Sequence, residues 1–402
     1  MQLTFTSIKI GEILLSIKMM QELKFRWLLL VIMFICSSNL YAQKNIDAIE
    51  VSYIYGAKVF SPDSTLQGKS WGVELAYHFN MQNSTMDYVK LLHINSIDVV
   101  GSYRNLESIT VNNRTTSKGS LGDAYSVLGR LEFDLVNVGP IKLLFTPGFG
   151  TTYSTTSYFS GHNYIIGSKF NLTGQAGLKI YSAITPSTGV QVGVDMLHYS
   201  NSGERLPNDG INAINLSLGL VQKLGVAGPS TPTHPFLYDG DNSFEFTADV
   251  GERGIFRQKN ELYRAGFYAG YSRKVNQVLS LRAGFDAGYY FTKFDTTNAT
   301  TYYNTFENYG TSFASWRFGL SVGGDVRLGR LAMFANYGYY LYYDDYYKAA
   351  TPTSRVMDYR VNFYLTPGFR YYLSQAFALQ IKQYINKSSA DYLGLGFLVR
   401  VH

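Results

Sequence analysis

Three residues near the middle of the chain have types and spacing suited to acyl chemistry: His198, Ser200 and Asn212. A serine hydroxyl attacks a carbonyl poorly until a neighbouring imidazole takes its proton. The imidazole in turn needs a third group to fix its tautomer and orientation. A His-x-Ser pair followed by an amide supplies one candidate for each role. The same residues also read as an interfacial histidine beside a turn serine, so their placement on the fold must decide.

Placement comes from a period-two pattern. In 188–200 the even positions Val190, Val192, Val194 and Met196 form an apolar row whose next members are His198 and Ser200. In 211–224 the apolar row is Ile214, Leu216, Leu218 and Leu220, and one step back along it stands Asn212. All three polar residues therefore share the apolar face of two adjoining strands, near the loop between them. On an extended strand His198 and Ser200 lie about 7 Å apart at Cα, close enough for side chains to meet.

The same alternation fills the chain. Eight segments precede residue 225, at about 47–58, 71–80, 94–106, 121–136, 139–150, 170–183, 188–200 and 211–224. Eight more follow, at about 243–250, 263–274, 278–292, 315–328, 331–343, 359–372, 376–386 and 390–401. Between them AGPSTPTHP (227–235) is the densest proline stretch and marks a linker over 226–240. Eight antiparallel strands suffice to close a small barrel. The expectation is all-β: a transmembrane antiparallel barrel over 43–225 and a second barrel-like set over 241–402. One sixteen-stranded barrel is the alternative. A secreted sandwich shares the alternation, because a soluble sheet also has one apolar face; a lipid-facing barrel reverses which face is wet.

The two sets end alike. Residues 190–202 read VQVGVDMLHYSNS and residues 376–388 read AFALQIKQYINKS, each followed by one last strand, which suggests a duplication. On the matching row of the second set, Phe377, Leu379 and Ile381 lead to Gln383 and Ile385. Glutamine cannot serve as base and isoleucine cannot attack. The second half therefore reads as a non-catalytic copy, and its end at Leu398-Val399-Arg400-Val401-His402 lacks the terminal Phe common in outer-membrane barrels.

Composition agrees with a sheet that meets an interface. The 402 residues include 34 Tyr, 26 Phe and 38 Gly, and only 16% are charged, against about 25% in a typical soluble domain. Without residues 1–42, which carry Lys9, Lys18, Lys24 and Arg26 against Glu12 and Glu22, the net charge of +6 falls to +4, too mild to argue for nucleic acid. From Met19 the chain has a basic flank (Lys24, Arg26), an apolar core from Trp27 to Cys36 and a small-residue exit ending at Ala42. That is the layout of a secretory signal peptide over 1–42, with 1–18 reflecting an upstream start. Cys36, the single cysteine, lies inside it, so the mature chain offers no disulfide or thiolate metal site. Ile35 before it is not the small residue that lipidation would want. Asp239-Gly-Asp241-Asn242 hints at a calcium loop but lacks the full ligand spacing and reads as a turn.

The stretch His198-Tyr199-Ser200-Asn201-Ser202-Gly203, followed by Pro207-Asn208-Asp209-Gly210-Ile211-Asn212, resembles the signature of the PagL-like lipid A 3-O-deacylase family. Asn163-Tyr164-Ile165-Ile166-Gly167-Ser168 with Asn171 also looks like that family's pattern. The resemblance spans about 45–225, and residues 240–402 show nothing comparable. It implies an eight-stranded barrel in the bacterial outer membrane, with lipid A of lipopolysaccharide as substrate and a serine esterase site on the outer wall that needs no metal or cofactor. By motif position Ser200 matches the nucleophile and His198 the base, while Asn201 and Asn208 match residues lining the oxyanion hole. Where that family's pattern expects a Glu, this chain has Asn212. An amide oxygen can still accept from an imidazole N–H, as in Cys-His-Asn enzymes, and Glu204 is a second candidate from the loop. Arg205 could pair with lipid A phosphates or stand as a solvated loop charge. A non-enzymatic structural or pore-forming barrel is the rival reading.

Overall fold

The computed structural model describes residues 47–61, 66–82, 84–111, 121–161, 163–225, 241–254, 261–294, 306–308, 315–343, 362–386 and 389–402. The expected signal peptide and the linker at 226–240 lie outside them. The first half runs β1 (Ala48–Phe60), β2 (Leu66–Gln67), β3 (Ser70–Asn80), helix α1 (Asp87–Leu92), β4 (Ile94–Asn105), β5 (Thr110–Val111), β6 (Asp123–Val138), β7 (Ile141–Phe145), β8 (Gly148–Ser154), helix α2 (Tyr158–Gly161), β9 (Phe170–Ala183), β10 (Thr188–Ser200) and β11 (Ile211–Lys223). The second runs β12 (Asn242–Gly254), β13 (Glu261–Lys274), β14 (Leu279–Tyr290), β15 (Thr292–Phe294), β16 (Phe306–Asn308), β17 (Trp316–Leu328), β18 (Leu331–Tyr343), β19 (Phe363–Tyr372), β20 (Phe377–Asn386) and β21 (Ser389–Val401).

Each half closes on itself. β11 pairs with β1, not with β12, and β12 pairs with β21. The chain is thus two eight-stranded antiparallel barrels in tandem; one sixteen-stranded barrel and a two-sheet sandwich are both ruled out. The segment expected as a single strand at 139–150 is split into β7 and β8. Pro147, between them, has no N–H to give to the ladder. Both pieces still bridge β6 and β9, so they fill one strand position. Two minor two-stranded sheets, β2–β5 and β15–β16, and the two short helices add to the sixteen segments expected.

Alternation now has a direction. Large apolar side chains such as Val51, Leu75, Val192, Leu218, Val250 and Leu341 are exposed on the outer walls. Carboxylates, arginines and hydroxyls fill the interiors. In the first lumen Arg130 is fully buried and bonds Asp98 (2.9 Å), Glu50 (3.1 Å) and Glu74 (2.5 Å). In the second, Glu245 takes Arg282 (2.8 Å), Arg370 (3.2 Å) and Arg400 (2.6 Å). Apolar outside and paired charge inside is the pattern a bilayer selects, since lipid offers no partner to a charge. Among the described residues no helix is long and apolar enough to cross a membrane.

The 201–210 loop after Ser200 lies at one end of the first barrel, and the short turns 139–140 and 184–187, with helix α1, lie at the other. The barrels touch at both. At the turn end Met81, Tyr88, Val89 and Ile94 of the first form one apolar cluster with Val278 and Leu328 of the second. On the walls Phe149 packs against Phe369, ring centres 4.3 Å apart and planes tilted by 34°.

Candidate active site

The site sits on the outer wall of the first barrel, at the loop end of β10 and β11. Period-two geometry sends the odd residues Leu197, Tyr199, Ile211 and Ala213 inward, where they join Val59, Leu106, Ile109, Ile165 and Ile166 in an apolar cap. Burial of that cap anchors the strand ends, and the even residues are left facing out. Register sets His198 directly opposite Asn212, with Phe60 of β1 on the far side of Asn212.

The side chains meet. His198 Nδ1 is 2.9 Å from Asn212 Oδ1, and His198 Nε2 is 3.2 Å from Ser200 Oγ. An amide oxygen can only accept, so Nδ1 carries the proton and Nε2 presents its lone pair to the serine hydroxyl. His198 is exposed and Ser200 half-buried, so the pair is reachable from the bilayer side; Asn212 is 6% exposed, shielded beneath them. The orienting contact on the ring thus comes from Asn212, in the place for which Glu204 was the alternative.

The connecting loop is folded on its own amides. The Asn201 N–H donates to Asn208 Oδ1 at 2.9 Å. The Asn201 NH2 donates to the Arg205 carbonyl at 2.6 Å, and its Oδ1 accepts the Gly203 N–H at 3.2 Å. Asn201 is 3% exposed, so its side chain is committed to the loop rather than turned to the hydroxyl. Ser202 (φ 58°) and Gly203 (φ 84°) both adopt the left-handed conformation that reverses the chain. The upstream motif braces this loop from the other side. Asp209 N–H donates to the Ile165 carbonyl at 2.9 Å, Asn208 bridges Ile166, and Asn163 ties down Ile165 N–H at 3.0 Å.

Gly210 is a site residue that sequence reasoning missed. Its φ is +69°, and a Cβ there would lie 2.8 Å from His198 Cε1. It stands within the quoted family signature, and the Asn-Asp-Gly turn signal is a second pointer to it.

One cluster has metal-ligand types. Glu50, His78 and Glu132, inside the first lumen, bring one ligand atom each within 4.8 Å of one another. Lys179 and Arg130 already contact Glu50, and Asp98 contacts His78 at 2.9 Å, so neighbouring side chains balance the charge.

A family model described as "Lipid A 3-O-deacylase (PagL)" matches residues 47–221, and one described as "Acyloxyacyl hydrolase, C-terminal domain" matches residues 242–402. The first barrel belongs to the PagL-like lipid A 3-O-deacylase family. The second barrel, in which the sequence alone showed no family motif, therefore has a PagL-type model of its own. Solved structures similar to the chain include the outer membrane enzyme PagL, at 18% identity over 42% of this chain and 97% of that one, TM-score 0.29. Neisserial surface protein A is similar at 12% identity over 44% and 97%, TM-score 0.31. No curated protein matches the chain.

Proposed function

We propose that this protein is an outer-membrane serine esterase that removes the ester-linked 3-position acyl chain of lipid A. The observation that carries the reading is the continuous relay Asn212–His198–Ser200 on a wall facing lipid. Ser200 Oγ attacks the ester carbonyl while its proton passes to His198 Nε2. The Asn212 oxygen holds Nδ1–H and steadies the imidazolium that forms. Asn208 supplies the oxyanion-hole donor: with its oxygen anchored on Asn201 N–H, its NH2 is the end left to donate, while Asn201, its own NH2 spent on the Arg205 carbonyl, holds the loop. Collapse expels the sugar 3-oxygen, which takes the proton from His198 Nε2 and leaves an acyl-Ser200. Water then attacks that ester and gives a proton to His198; collapse releases the fatty acid, and His198 Nε2 returns the proton to Ser200 Oγ.

The relay supplies nucleophile and base itself, so the reading needs no metal and no cofactor. An acyl ester at the membrane interface can slide along the wall to an outward-facing hydroxyl, which explains why no deep pocket is required. Localisation follows from the same surface: an exported chain, its signal peptide over 1–42, sits in the bacterial outer membrane with apolar walls in lipid. Mass spectrometry of lipid A from cells expressing the wild type or Ser200→Ala tests the reading. One acyl chain missing only with the wild type is the expected result. Identical spectra would leave a non-enzymatic barrel in its place.

A further inference from the structure

The second barrel reaches the loop that follows the nucleophile. Gln383 of β20 points outward and donates from Nε2 to the Ser202 carbonyl at 3.1 Å, while the same NH2 contacts the Tyr384 and Tyr392 carbonyls of its own barrel, each at 3.1 Å. Gly254, the last residue of β12, donates its N–H to the Gly203 carbonyl at 2.8 Å. Contact is close enough to exclude side chains on either side. A Cβ at Gly254 would lie 2.7 Å from Arg205 Cα and from the Glu204 carbonyl; one at Gly203 would lie 2.9 Å from the Ala390 carbonyl. From below, Gly167 leaves only 2.8 Å between a would-be Cβ and the Arg205 carbonyl group. Residues 202–205 are therefore held between the first barrel's own 163–168 segment and the rim of the second barrel.

We propose that the second barrel is a positioning element for the esterase site, acting through Gln383 and Gly254 on the loop that carries Asn201 and follows Ser200. Ser202 and Gly203 are two left-handed residues in succession; Asn201 holds the Gly203 N–H from within the loop, and the contacts to both of their carbonyls come from the other barrel. The position that reads as the lost counterpart of His198 is thus occupied by an amide because an amide can bridge carbonyls of both barrels. This inference rests on the esterase reading above.

The test uses the full chain in detergent with purified lipid A, measuring kcat and KM by fatty-acid release. Gly254→Ala pushes on loop backbone and is expected to lower kcat about a hundredfold. Gln383→Leu removes the donors at nearly constant volume and is expected to cost about tenfold. KM should stay within about twofold in both, because the substrate-facing wall is untouched. Phe369→Ala weakens the interface away from the loop and is expected to keep wild-type kcat. Heat-modified gel mobility identifies folded protein, and Gln383→Leu stands in if Gly254→Ala does not fold. Folded Gln383→Leu with wild-type kcat, or Phe369→Ala falling as far as Gln383→Leu, overturns the inference alone. A wild type without activity overturns the esterase reading beneath it.

Discussion

The two barrels have the same number of strand positions and each ends in a hairpin, yet their interiors are organised around opposite charges. In the first, one cation, Arg130, gathers Glu50, Glu74 and Asp98; in the second, one anion, Glu245, gathers Arg282, Arg370 and Arg400. Around Glu245 the aromatic residues take part, with the Arg282 guanidinium 4.5 Å from the Tyr268 ring and Arg400 4.9 Å from that of Tyr372. A closed sheet needs its lumen filled and its charges paired, but either sign can sit at the hub. The walls differ where it matters for chemistry. Along β10 the outward row ends in His198 and Ser200; along β20 it ends in Gln383 and Ile385. The partner strand continues the contrast, since Asn212 lies opposite His198 whereas Leu393 lies opposite Gln383. The architecture supplies a hairpin at the rim, and only the side chains decide whether it reacts or docks.

Making the first wall like the second is the most drastic way to erase this difference. His198→Gln installs the second barrel's residue and removes the base while keeping a side chain of similar reach. Activity on lipid A is expected to fall on the order of 10³-fold or more, as for the loss of any member that acts as a unit. Residual activity within tenfold of wild type, read by fatty-acid release, would mean the proton leaves Ser200 by another route.

The hubs offer a second comparison, in stability rather than rate. Arg130→Met removes the central cation from three buried carboxylates, and Glu245→Met the central anion from three buried guanidinium groups. Each is expected to cost about 3–5 kcal/mol, because removing one partner leaves uncompensated buried charge. Urea unfolding of the detergent-folded protein measures it. A loss confined to one variant would show that one lumen tolerates unpaired charge, for instance by admitting water, and that the hubs are not equivalent.

Gly210→Ala asks how finely the first wall is tuned. The new methyl meets His198 Cε1 at 2.8 Å and sits on a left-handed backbone. About tenfold loss in kcat is expected, with about 1 kcal/mol of stability. An unchanged kcat would mean the ring can turn aside without leaving Ser200.

Much of this was legible in the sequence because period two is a local signal. The apolar rows of 188–200 and 211–224 fixed both the strands and the side on which His198, Ser200 and Asn212 emerge, and antiparallel pairing then left few ways for them to miss one another. The break at Pro147 was a local signal overlooked. What stayed hidden depends on contacts between distant backbones. Nothing in the residue type of Gln383 announces that Ser202 lies across from it, and a glycine such as Gly254 reads only as flexibility until the neighbouring barrel fills the space of its missing side chain. Asn201 shows the same limit. Its motif position points to the oxyanion hole, while its NH2 is engaged by the Arg205 carbonyl.

The smallest expected effect concerns the residue at which this chain departs from the family's pattern. Asn212 accepts the Nδ1–H bond at 2.9 Å but brings no negative charge to the imidazolium that forms when Ser200 attacks. Asn212→Asp keeps length and acceptor geometry and adds that charge at a site 6% exposed, where it is poorly screened. Two effects then oppose each other: the charge stabilises the transition state, and its burial destabilises the fold. Because an ion pair with His198 exists only once the ring is protonated, the gain falls on kcat, while the cost falls on unfolding of the resting protein. A rise in kcat of roughly threefold, with a lower unfolding midpoint, is the expected pair of results in steady-state kinetics and denaturant titration. A fall in kcat instead would mean that the Asn212 NH2 makes a contact the reaction needs, and that the amide is a specific choice rather than a weaker carboxylate.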